Sequence, residues 1–214
     1  VGGLNPRKDP RMFWLCPPEE LPPLVLASAS PRRRELLRQA GLEIQVDAPD
    51  IDESALPGEE PASHVERLAR AKGQVVARRA PNSLVISADT VVVLDDIMLG
   101  KPRHEADARD MLRQLSGRWH EVYTGWALSG RGGERWQVGH VRTRVLFHEL
   151  DAPQIAAYVA SGEPMDKAGA YGIQDGGSLL VAALDGDYFS VMGLPLATVC
   201  RHLVDFARSL ANEA

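Results

Sequence analysis

Leu24-Val25-Leu26-Ala27-Ser28-Ala29-Ser30-Pro31-Arg32-Arg33-Arg34-Glu35-Leu36-Leu37 passes from an apolar run into a helical pattern within a few residues. Residues 24–26 suit a buried strand, and 33–40 read as a helix that stops at Gly41. Ser30 is a good N-cap, and Pro31 suits the first helical position. The charge has the wrong sign. A helix N-terminus carries partial positive charge, yet this first turn holds Arg32, Arg33 and Arg34, each misplaced cation costing roughly 0.3–1 kcal/mol. An anion docked on the free N–H groups, the Ser28 hydroxyl and the arginines would reverse that cost. The alternative is a solvated basic turn. The stretch is no Walker loop, because the Gly-rich run and the Lys-Ser/Thr ending are missing.

Downstream, residues 44–46 give a second strand, followed by a loop over 48–61 with the carboxylates Asp50, Asp52, Glu53, Glu59 and Glu60. Glu59 and Glu60 read as solvated. Asp-Ile-Asp-Glu at 50–53, nearer the strand end, is the better candidate for a metal or a base. A long amphipathic helix over 62–79 buries Val65, Leu68, Ala69, Val75 and Val76, and Lys72 falls in the middle of that stripe. Either its stem lies on the core with the amine in water, or the amine points into an anionic cleft.

Residues 84–88 form a buried strand that runs into Asp89-Thr90, and 91–94 and 97–99 continue as a hairpin. A carboxylate between two apolar runs is expensive unless paired, hydrogen-bonded or metal-bound, so Asp89 stands out. Its other reading is a carboxylate capping a turn. Lys101 follows the hairpin. A helix over 104–115, strands over 119–128 and 135–148, and a capping box at Asp151 and Gln154 come next. Residues 162–177 hold five glycines with Asp166, Lys167, Tyr171 and Gln174 among them, which allows close backbone approach to a ligand. The chain closes with expected strands over 178–184 and 187–191 and a final helix to about 210. His120, His140 and His148 have no metal-ligand spacing and read as structural.

Net charge is −5, so bulk attraction to nucleic acid is not expected, and any anionic ligand must be held by local positive charge or a metal. No apolar run approaches the ~20 residues that span a bilayer. Cys16 and Cys200 form no disulfide framework, which fits a cytoplasmic setting. Residues 1–23 read as a loose tail ahead of one domain over 24–214. The mixture of elements, with parallel crossovers early and hairpins late, argues α/β: a mixed sheet, two-lobed with a central cleft. The cations and carboxylates together fit metal-dependent attack of water on a polyphosphate.

Ser-Ala-Ser-Pro-Arg-Arg at 28–33, Arg-Leu-Ala-Arg-Ala-Lys at 67–72, Ser-Ala-Asp-Thr at 87–90, Gly-Lys-Pro at 100–102, Ser-Gly at 116–117, Asp-Lys-Ala-Gly-Ala-Tyr-Gly-Ile-Gln at 166–174 and Val-Met-Gly-Leu-Pro at 191–195 resemble, in order, the motifs of the Maf family of nucleotide pyrophosphatases. The resemblance covers about residues 24–208. It implies a fold similar to the inosine triphosphatases, a cytoplasmic enzyme dependent on a divalent cation (Mg²⁺ or Mn²⁺), and a nucleoside triphosphate as the partner, cleaved to monophosphate and pyrophosphate. A homodimer is a family-level expectation. By the same resemblance Asp89 matches the proposed base, and Glu53, Lys72 and Lys101 match other active-site positions; Asp89 and Glu53 are the expected metal ligands. Arg32, Thr90 and Gln174 match positions tied to substrate choice, in the pattern of the dTTP/UTP subgroup. Ser28, Arg33, Asp166 and Lys167 complete the expected substrate contacts. The alternatives are a preference for 7-methyl-GTP or modified nucleotides, and a nucleotide-binding regulator of cell division; an intact Asp89 with Lys72 and Lys101 favours catalysis.

Overall fold

A computed structural model describes Leu15 and residues 21–213. Most of the tail expected over 1–23, including Cys16, lies outside the described residues. The sheet has seven strands: β1 (Leu24–Leu26), β2 (Ile44–Val46), β3 (Leu84–Leu94), β4 (Ile97–Leu99), β5 (Trp119–Gly130), β6 (Arg135–Phe147) and β7 (Val181–Asp185). Its order is β2-β1-β3-β5-β6-β7, with β4 also paired to β3. β1 is parallel to β2 and β3, and every later pairing is antiparallel, as the order of crossovers and hairpins predicts. The helices are α1 (Pro31–Gln39), α2 (Pro61–Arg79), α3 (Glu105–Leu115), α4 (Ala152–Ala160), α5 (Tyr188–Val191) and α6 (Leu196–Asn212).

β3 organises the molecule. The sequence suggests a break at Asp89, but the strand runs through it. Its seven large aliphatic residues are all buried, and at ~1.5–3 kcal/mol each they contribute on the order of 10 kcal/mol. That exceeds the cost of one paired carboxylate. Alternation then sorts the strand. Leu84, Ile86 and Ala88 join a core with Leu36 and Leu37 of α1 and Leu203 of α6. Val92 and Leu94, on the same face, join a second core with Leu112 of α3, Ile155 of α4 and Tyr171. Thr90 is the position between the two cores. The opposite face meets α2, through Val85 against Val76 and through Val91 and Val93 against Val65.

The cleft begins as a fork in the sheet. On one side of β3, β1 pairs up to Ile86 and β4 pairs only from Val92. Among the described residues no strand pairs with the intervening positions on that side. On the other side, β5 pairs without interruption from Val85 to Val93. The two cores flank this gap, which is the two-lobed arrangement expected.

Of the last two expected strands, the one over 178–184 is present as β7, beginning three residues later at Val181, and the one over 187–191 is replaced. Residues 175–180 form a 3-10 turn before β7, and 188–191 form the short helix α5. The Asp187 carboxylate accepts from the Ser190 backbone N–H, and this local cap favours a helical turn over an extended chain. The capping box at Asp151 and Gln154 is present.

Candidate active site

All eleven residues singled out in the sequence line one cleft of about 470 Å³: Ser28, Arg32, Arg33, Glu53, Lys72, Asp89, Thr90, Lys101, Asp166, Lys167 and Gln174. Its volume falls in the range of small-molecule sites. Its charged lining has five cations, Arg32, Arg33, Lys72, Lys101 and Lys167, against four carboxylates, Glu53, Asp89, Asp166 and Asp175. An acidic chain has therefore gathered positive charge where the sheet forks.

α1 supplies the first wall. Ser30 caps it, its Oγ accepting from Arg33 N at 3.4 Å, with Pro31 in the first turn. The three arginines have different fates. Arg34 is exposed. Arg32 is half-buried and donates to Asp166 Oδ2 at 3.1 Å, and Lys167 Nζ donates to Asp166 Oδ1 at 2.7 Å. Arg33 is only 8% exposed. Its Nε donates to Gly193 O at 2.7 Å, Nη1 to Ser28 Oγ at 3.0 Å and Nη2 to Thr90 Oγ1 at 3.2 Å. Burial pushes the Arg33 pKa down, Asp89 opposes that, and Arg32 adds to it. A solvated basic turn thus describes Arg34 but not Arg33.

α2 and β3 supply the second wall. Lys72 does not send its amine to water. Nζ lies 2.6 Å from Asp89 Oδ1 and 2.6 Å from Glu53 Oε1. The Lys72 and Asp89 side chains are each 10% exposed and that of Glu53 46%. Partial burial pushes the Glu53 carboxyl up, but the Lys72 hydrogen bond and the charges of Lys72, Lys101 and Arg33 together hold it below its usual range. Two glycines let α2 approach. A Cβ on Gly125, the β5 partner of Asp89, would lie 2.3 Å from Val65 O, and one on Gly73 would lie 2.7 Å from Ser87 Oγ. Lys101 is exposed at the rim. Gln174 is half-buried in the wall beside Ile173.

The structure adds features that sequence reading missed. Glu59 is not solvated: its side chain is 7% exposed and binds Arg67 Nε at 2.5 Å, His64 Nδ1 at 2.9 Å and the Leu56 backbone N–H at 3.0 Å. His64 lines the cleft, and its spacing to Leu68 and Lys72 on one helix face was a signal available in the sequence. Behind Arg33, Thr90 meets the buried Thr124, which no local pattern marks. His120 is buried and bonded to Tyr171 OH at 2.8 Å, in keeping with its structural reading.

Among the described residues no helix is long and apolar enough to cross a membrane. The family model described as Maf-like protein matches residues 23–206. Relatives named dTTP/UTP pyrophosphatase include one from Symbiobacterium thermophilum, 51% identical over 86% of this chain and 93% of the relative. Another, from Moorella thermoacetica, is 55% identical over 82% of this chain and 91% of the relative. A third, from Myxococcus xanthus, is 53% identical over 81% and 87%. Among solved structures, a HAM1 protein from Coxiella burnetii shares the fold, with a TM-score of 0.50 at 18% identity over 85% of this chain and 98% of that one.

Proposed function

The chain belongs to the Maf family, and from that footing and the geometry of its cleft we propose that it hydrolyses dTTP and UTP to the monophosphate and pyrophosphate. The observation that carries the reading is Lys72 held 2.6 Å from both Asp89 and Glu53, in a cleft that also presents Arg32, Arg33 and Lys101. Carboxylates and cations converging on one concave site suit water attack on a bound polyphosphate.

In this reading α1 and its arginines hold phosphate oxygens. Arg33 enters with its plane fixed by three protein acceptors, so little order is lost when a phosphate arrives. Asp89 takes a proton from water as the water oxygen attacks the α-phosphorus. The bond from that phosphorus to the bridging oxygen breaks, and its electron pair leaves on pyrophosphate. Lys72 pairs with Asp89 and orients it, and Lys101 draws the departing pyrophosphate toward the rim.

The donor set also fits a divalent cation. Mg²⁺ and Mn²⁺ take oxygen ligands, commonly one or two carboxylates with phosphate oxygens and retained waters. Asp89 and Glu53 supply two carboxylates, and their shared contact with the Lys72 ammonium shows that the pair accepts positive charge. Among the described residues no cluster of three or more His, Cys, Asp or Glu is placed to hold a metal. When bound, the ion would neutralise charge on the triphosphate.

Gln174 reads the base. Uracil and thymine offer carbonyl acceptors beside an N3–H donor, and an amide can both donate and accept. A site built on such pairing rejects a mismatched edge, often by ~10⁴-fold. The test is pyrophosphate release from UTP, dTTP, CTP, GTP and 7-methyl-GTP by wild type and Gln174→Glu with Mg²⁺ or Mn²⁺. UTP and dTTP should lead for wild type and fall most in the variant. A wild type that prefers purines would overturn the substrate assignment, and an unchanged ranking would remove Gln174 from base selection.

A further inference from the structure

Behind the cleft lies a ladder of hydroxyl groups. Thr124 on β5, Thr143 on β6 and Ser190 in α5 are each 0% exposed. Thr124 Oγ1 lies 2.7 Å from the Ser190 carbonyl oxygen and 2.9 Å from Thr90 Oγ1. A carbonyl oxygen can only accept, so the single Thr124 proton lies on the Ser190 contact. Thr124 must then accept from Thr90, which commits the Thr90 proton inward. Thr90 Oγ1 in turn accepts from Arg33 Nη2 at 3.2 Å. The ladder therefore has one direction: Arg33 donates to Thr90, Thr90 to Thr124, and Thr124 to Ser190.

A second arm closes the loop. Gly193 N donates to Ser190 O at 2.9 Å, and Gly193 O accepts from Arg33 Nε at 2.7 Å. Ser190 itself is pinned. Its N–H donates to Asp187 Oδ1 at 2.9 Å, its hydroxyl donates to Asp187 O at 2.7 Å, and Thr143 Oγ1 lies 2.8 Å from that hydroxyl. Both anchors of the guanidinium on this side thus return to Ser190. Ser28 takes a third N–H, which leaves two of the five guanidinium N–H groups, one on each terminal nitrogen, for a ligand. Two such donors match the bidentate recognition of a phosphate.

We propose that Thr124, which does not line the cleft, is a positioning residue for Arg33. By fixing the direction of the Thr90 hydroxyl it sets the plane in which Arg33 meets the triphosphate. The inference rests on the reading that Arg33 binds phosphate. It also assigns Thr90 a role: toward a ligand it has a lone pair but no proton, so it can accept and cannot donate.

A double-mutant cycle separates positioning from mere stability. The probe is the non-hydrolysable α,β-methylene analogue of UTP, and the readout is its Kd. Thr124→Val keeps the shape but removes the hydroxyl. It should weaken binding about tenfold, the upper end of the net worth of one hydrogen bond, and by less than about twofold when Arg33→Met is already present. Thr124→Ser, which restores the hydroxyl, should bind within about twofold of wild type. Equal weakening in both backgrounds, or no weakening by Thr124→Val in the otherwise wild-type protein, would overturn the proposal. Should Thr124→Val fail to fold, Thr124→Cys, a weak donor and acceptor, passes through the same cycle with the same two outcomes. Arg33→Met that binds the analogue as tightly as wild type would instead refute phosphate binding by Arg33, a separate failure.

Discussion

At the scale of single residues, Lys72 shows how a polar side chain on an apolar stripe gains its place. Its ammonium stands between Asp89 and Glu53, 2.6 Å from each, with Asp89 almost fully enclosed. Removing one partner of a buried pair is more costly than never having had the pair, because the other charge stays buried. Lys72→Met should therefore do more than weaken substrate binding. At pH 8 it should cost about 3 kcal/mol, since two carboxylates then face each other with no cation between them. At pH 5 part of that loss should return as one carboxyl takes a proton. Urea denaturation at both values checks this; an equal loss at both would mean that the pair contributes packing and not charge. Arg33 gives the complementary lesson. Arg32, Arg33 and Arg34 are alike in sequence, and only a carbonyl 160 positions away at Gly193 and the Thr90 hydroxyl select the middle one for burial.

Secondary-structure elements deliver these groups. α2 crosses β5 so closely that Gly125 has no room for a methyl group, and this approach brings Lys72 to Asp89. Gly125→Ala should push α2 outward and cost at least ~2 kcal/mol, in the range of overpacked cores. It should also lower kcat/KM for UTP at least about tenfold, because an α2 pushed outward draws Lys72 away from Asp89, and a misplacement of about 1 Å is costly to catalysis. Thermal melting and steady-state kinetics on the same preparation test it. A lower Tm with unchanged kcat/KM would show that the site tolerates a shifted helix. Much of this level was legible in the sequence. Ser30 and Pro31 mark the start of α1, the Val65–Leu68–Val76 stripe marks the face of α2, and Asp89 stands out as a charge among aliphatic residues. What failed had local causes masked by tertiary ones. Asp89 could be read as a carboxylate capping a turn because its cation comes from another element. Glu59 looked solvated because Arg67 and His64 lie on the next helix. Residues 187–191 looked extended because a single aspartate cap outweighs β-propensity in so short a segment.

For the molecule as a whole, the sheet fork joins two cores, and acid should loosen the second one first. His120 packs edge-on against Phe147 and Tyr171 there, and burial pushes its pKa from 6.5 down to about 4. The unfolded chain binds that proton first, so stability is present above pH 6.5 and falls as pH drops toward 4. The loss from this residue alone should total about 3 kcal/mol. His120→Gln, which cannot titrate, should lose correspondingly less between pH 7 and pH 4.5 in urea titrations; parallel losses in the two proteins would exclude His120 as the cause. Depressed carboxyls such as Glu53 add their own loss at lower pH in both proteins. The fork matters because it puts Asp89, Lys72 and the arginine turn in one cleft, and the most direct test of what they do there is the conversion of UTP to UMP and pyrophosphate by Asp89→Asn beside wild type. The amide keeps the shape of the carboxylate but cannot take a proton from water. Wild type should release pyrophosphate and UMP in equal amounts, and Asp89→Asn should fold and melt as a cooperative unit yet lose at least about 10³-fold in kcat. Turnover within about tenfold of wild type, or orthophosphate and UDP as the wild-type products, would contradict it.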